Sequence, residues 1–106
     1  MTITNLTPHD IKIVLPAGDV RVIAKSGTVA RVATTRAAGP EVDGIPTSMT
    51  SFGEVEGLPA PKRGTVYVVS GMVAARCSDR DDVFAPGELV RDDAGNVVGC
   101  RGLSRG

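Results

Sequence analysis

Short apolar runs and Gly/Pro-rich breaks alternate along most of the chain, a pattern that predicts many short strands. Asp10 to Leu15 alternates and then turns apolar, Pro16-Ala17-Gly18-Asp19 reads as a turn, and Val20 to Ala24 is a second run. Together these predict a hairpin. A third strand is expected over Thr28 to Thr35. The middle is punctuated by Gly39-Pro40 and Asp43-Gly44, and Gly53 to Pro61 has so much Gly and Pro that an ordered surface loop is expected there. Thr65 to Ser70 is apolar on both faces and predicts a central strand. Gly71 to Cys77 is the one stretch with helical character, with Ser70 placed to cap it. A charged loop over Ser78 to Asp82, a strand over Val83 to Pro86 and a second hairpin follow. That hairpin joins Glu88–Arg91 to Val97–Arg101 through the turn Asp92 to Asn96. The tail from Ser104 to Gly106 is expected to fray.

This pattern predicts one mainly β domain over residues 1–106. The expected form is a small sandwich or partly open barrel of short antiparallel strands with one short helix near 71–77. Composition sharpens the picture. The chain has no Trp, one Tyr and two Phe, so Val, Ile, Leu and Ala must fill a thin core. Such a core is helped by a second copy, and a homo-oligomer is expected.

The 12 basic and 12 acidic residues balance. No basic excess is available to displace counterions, which argues against a nucleic-acid partner. No apolar run approaches a membrane span, and Met1 to Asp10 lacks the pattern of a targeting segment. A cytoplasmic protein with reduced thiols is therefore expected.

Candidate chemistry is sparse. One His (His9) and two distant cysteines (Cys77, Cys100) offer a poor zinc set. No nucleophile elbow or phosphate loop is present. No cofactor and no metal are expected, and a non-enzymatic role is favoured. Arginine is the remaining theme, since its planar fork grips phosphate or carboxylate. Arg76 and Arg80 lie four apart and share a face if helical phase persists. Asp79, Asp81 and Asp82 surround Arg80, which fits either a solvated salt-bridged loop or an arginine held ready for a ligand. Arg91 and Arg101 fall on the two arms of the last hairpin. Opposed across the ladder, they would need an anion between them; placed on opposite faces, they would not. Asn5-Leu6-Thr7-Pro8-His9 reads as a turn, or as a site rim carrying Asn5 and His9.

The opening NLTPH, the middle FGEVEGLPAP, the strand TVYVVS, the DRDDV stretch and the closing LVRDDAGNVVGCRGL resemble a group of small bacteriophage and prophage proteins. The resemblance spans nearly the whole chain. Its motif residues here are Asn5, Thr7, Pro8, His9, Arg80, Asp82, Pro86, Arg91, Asp92 and Gly95. It implies a phage accessory protein in the host cytoplasm. Phages use small non-catalytic β-rich oligomers as sponges for nucleotide signals of host defence. By that analogy the implied role is binding, without turnover, of a small anionic, nucleotide-like ligand through Asn5, His9, Arg76, Arg80, Asp82, Arg91 and Arg101. The alternative is a protein-binding or virion-associated module with no small ligand, working through the Gly53 to Pro61 loop or a sheet edge.

Overall fold

In the computed structural model, which describes residues 1–105, both anticipated hairpins form. β2 (Ile11–Val14) pairs antiparallel with β3 (Val20–Ile23) after β1 (Thr2–Asn5) has opened the chain. The β2–β3 turn closes through Leu15 N–H to Asp19 O and Gly18 N–H to Leu15 O, with Gly18 at φ 93°. That left-handed conformation costs a glycine nothing.

The next two strands are β4 (Arg31–Ala38) and β5 (Ser48–Glu56), paired antiparallel as a separate two-stranded sheet. β6 (Thr65–Val68), the helix α1 (Gly71–Arg76) and β7 (Val83–Pro86) follow. β8 (Leu89–Arg91), β9 (Val97–Cys100) and β10 (Leu103–Ser104) complete the described chain. The two four-stranded sheets run in the orders β1-β6-β7-β10 and β3-β2-β9-β8. None of the three sheets closes into a barrel, and the fold is mainly β with one short helix, as the pattern predicted.

The expected antiparallel pairing is only part of the topology. β1–β6, β6–β7 and β2–β9 are parallel. Parallel neighbours need a crossover rather than a tight turn. The segment Val69 to Asp82, which contains α1, supplies one between β6 and β7. Ser70 caps α1 by accepting a hydrogen bond from Val73 N–H, and Cys77 is the residue at its C-terminal end.

β6 divides the core. Tyr67 and Val69 pack with Leu6, Ala30, Val73, Ala74, Cys77, Val83 and Ala85. Val68 points the other way, into Ile11, Ile13, Ile23 and Cys100. Alternate residues of a strand face opposite sides, so the β1-β6-β7-β10 sheet lies between α1 with the base of the β4–β5 pair on one side and the second sheet on the other. The two cysteines fall in different clusters and are both free.

Two further expectations are corrected. The strand anticipated over Thr28 to Thr35 begins later, at Arg31, because Ser26 to Ala30 is tied to the first strand. Ser26 N–H and Oγ both bond Asn5 O, and Ala30 N–H bonds Leu6 O. The tail does not fray at Ser104: Leu103 and Ser104 pair with Pro86 and Ala85. Gly106 lies outside the described residues. Among the described residues, no helix is long and apolar enough to cross a membrane.

Candidate interaction surface

The Asn5 side chain is buried and wholly committed. Its Nδ2 donates to His9 O (2.8 Å) and Ile23 O (3.0 Å). Its Oδ1 accepts from Thr7 N–H at 2.9 Å and lies 2.6 Å from Thr7 Oγ1. Pro8 fixes the bend, and the motif NLTPH is a brace that ties the first turn to β3. Asn5 therefore offers nothing to a ligand. His9 is exposed at the end of this brace.

Arg80 is likewise engaged. Its Nε and Nη2 donate to the two carboxylate oxygens of Asp82 at 2.9 and 2.7 Å, and Nη1 donates to Pro59 O at 3.0 Å. The guanidinium sits 5.9 Å from the Tyr67 ring centroid. The hydrogen bonds from Arg80 hold the Asp82 carboxyl below its ordinary range, and the carboxylate raises Arg80 in return. This bidentate pair fastens the charged loop to the Gly57–Gly64 connection.

The other arginines are scattered. Arg76, on α1, places its guanidinium 4.9 Å above the Phe52 ring of β5. Arg91 donates to Gly95 O and closes its own turn. Arg101 lies 4.0 Å from Glu88 in the open. The register puts Arg91 opposite Val97, while Arg101 N–H bonds Glu88 O at the other end of the hairpin. The two arginines do not face each other. Within one chain the four do not share a cleft, and none of Arg76, Arg80, Arg91 and Arg101 lines any of three surface cavities.

Nucleophilic chemistry fares no better. Burial, the dominant effect, pushes the Cys77 thiol up, against the opposing pull of Arg80. A reactive thiol needs the reverse. Ser70 is occupied as a helix cap. Among the described residues no cluster of three or more His, Cys, Asp or Glu could hold a metal ion.

The feature that stands out lies in the Gly- and Pro-punctuated middle of the chain. β4 and β5 form a long arm, with Arg31 opposite Glu56 at its base and Ala38 opposite Ser48 toward its tip. At the tip Val42 and Ile45 exchange both backbone hydrogen bonds (2.9 and 2.8 Å) around Asp43-Gly44. Both turn residues have positive φ, 50° and 77°, the requirement of the two-residue turn that matches strand twist. The register slips once, where Val32 pairs with Val55 but Thr34 pairs with Phe52. The extra β5 residue is a bulge at Gly53-Glu54. Gly53 to Glu56 thus belongs to a strand, not to the expected surface loop, which is confined to residues after Glu56.

Beyond its base the arm touches little. From Thr34 to Glu54 every residue except Gly39 and Thr47 is exposed. That exposure includes Val42, Ile45, Met49 and Phe52, at 56, 63, 62 and 44%. The arm makes the molecule elongated: the radius of gyration is 17.0 Å, against about 13 Å for a compact domain of this length.

Comparison of the chain with family models, with curated proteins and with solved structures yields no match.

Proposed function

We propose that the chain is a protein-binding structural module whose working part is the β4–β5 arm. The observation that carries this reading is an exposed two-stranded ribbon with four large apolar side chains open to water. An isolated two-stranded ribbon is marginal in water at best. It also leaves the outer edges of both strands unpaired, as templates for another chain. Such an arm reaches full order when another protein covers it. The resemblance to phage proteins supplies the setting: a virion-associated component that assembles in the host cytoplasm.

The nucleotide-sponge reading loses its main support within one chain, because Arg80 is neutralised by Asp82, Asn5 is spent on backbone, and Arg91 and Arg101 lie apart. Calorimetry with linear and cyclic nucleotides is expected to show no binding. A nucleotide that binds at submicromolar affinity would restore that reading.

The direct test places a photo-crosslinking amino acid at Met49 on the arm or at Lys62 on the body, in the full chain made in its native setting. Protein adducts are expected to concentrate at Met49. Equal or lower capture at Met49 would remove the arm from the interaction.

A further inference from the structure

Resting on that reading, we infer that Arg76 and Phe52 form a weak latch that sets the direction of the arm, with the β5 bulge as its hinge. The base of the arm is fixed by packing. Val32 and Val55 lie against the cluster that holds Val73 and Ala74 of α1. One step further out the ladder is interrupted: Val32 pairs with Val55, but Thr34 pairs with Phe52. A bulge leaves one residue unpaired and bends its strand. Rotation at Gly53-Glu54 therefore swings the arm from Phe52 to the tip and leaves the base in place.

A side-chain contact spans that break. Phe52 pairs with Thr34, two residues along β4 from Val32. It therefore leaves the ribbon on the face that packs toward α1. There the Arg76 guanidinium lies 4.9 Å from the Phe52 ring centroid. Arg76 is the last residue of α1. It is exposed and forms no ion pair among the described residues, so no carboxylate competes with the ring for its charge.

The magnitude decides what such a contact can do. Phe52 is 44% exposed, and a cation–π contact at an exposed site shifts the balance between two arrangements by only about two- to fivefold. The latch favours one direction without locking it. An arm already pointed the right way loses less freedom when a partner covers it, and a partner that needs another angle can still open the contact. Arg76 is thus a positioning residue, acting on the partner through Phe52.

The test uses the full chain, with spin labels at Ser48→Cys on the arm and Lys62→Cys on the body. Cys77 and Cys100 are buried and stay unlabelled in the folded chain. Pulsed electron paramagnetic resonance is expected to give one dominant arm-to-body distance. Phe52→Leu and Arg76→Met are each expected to lower the ratio of that distance to all others by about two- to fivefold, and the double variant no further than either alone. Arg76→Lys and Phe52→Trp keep a cation over a ring and are expected to retain the dominant distance. Circular dichroism confirms that each variant folds. A distribution that Phe52→Leu leaves unchanged would overturn the inference, as would equal broadening by Phe52→Leu and Phe52→Trp or additive losses in the double variant. If the distances respond as expected while Met49 captures nothing, the latch stands and the binding role of the arm falls. If Met49 captures a protein while no variant changes the distances, the binding role stands and the latch falls.

Discussion

At the scale of single residues, the polar side chains with the richest bonding hold the fold together. Removing the Asn5 amide leaves Ile23 O and Thr7 N–H without this partner, while His9 O keeps the Thr7 hydroxyl. Each buried group left unmet costs about 1–3 kcal/mol. Asn5→Ala is expected to be among the most destabilising substitutions in the chain, measured by urea unfolding. A small effect would mean that water replaces the amide.

The Arg80–Asp82 pair makes a pH-dependent contribution whose sign is fixed. Asp82 is depressed in the folded state mainly by the hydrogen bonds from Arg80. Its stabilisation is therefore complete above the unfolded carboxyl value of about 3.9 and is lost as pH falls through the lower folded value. The side chains are 19 and 14% exposed, so screening is partial. Arg80→Met is expected to cost about 2 kcal/mol at neutral pH and to flatten the acid limb of the stability profile. An unchanged acid limb would show that Asp82 draws its low value from elsewhere.

At the scale of elements, the pieces with strong local signals were legible and those that depend on distant partners were not. The two hairpins announced themselves through Gly18 and Gly95, the helix through Ser70 and its Ala-rich run, and the central strand through unbroken apolar character. Only the base of β4, Arg31 to Thr35, falls within an anticipated strand; the rest of the arm carries a turn signal at Val42-Asp43-Gly44-Ile45, but beyond Thr35 its strands show no period-2 signal to mark a buried side. The glycines of β5 added to the miss, since Gly53 signals a bulge as readily as a loop.

The arginine cluster failed for a related reason. Sequence spacing cannot say whether a carboxylate two residues away will take the guanidinium, and the Arg80 side chain reached both Asp82 and the distant Pro59.

The base of the arm depends on a close approach. A Cβ on Gly57 would fall 2.6 Å from Val29 O, and its φ is 80°. Gly57→Ala meets both a backbone clash and left-handed strain. It is expected to loosen the arm, seen as faster amide exchange in β4 and β5 ahead of exchange in β6. Uniform destabilisation without that order would mean that the arm and body unfold as one unit.

At the scale of the whole molecule, body and arm have separate energetics. The two apolar clusters draw on the arm only through Val32 and Val55 at its base. The stretch beyond them contributes exposed apolar side chains, which gain nothing from folding until they are covered. Replacing Thr35 to Thr50 by a short glycine-containing turn therefore removes surface and no core. The shortened chain is expected to keep its β-rich circular dichroism and to unfold with a midpoint close to that of the full chain, while losing its association with partners. The two readouts separate the possible roles of the arm. A shortened chain that unfolds would make the arm part of the fold. One that folds and still associates would move the working surface to the sheet edges of the body. Loss of association with folding intact is the outcome that physical separation of the two parts requires. It follows from one geometric fact: a ribbon that stands clear of its own core has its stabilising contacts elsewhere.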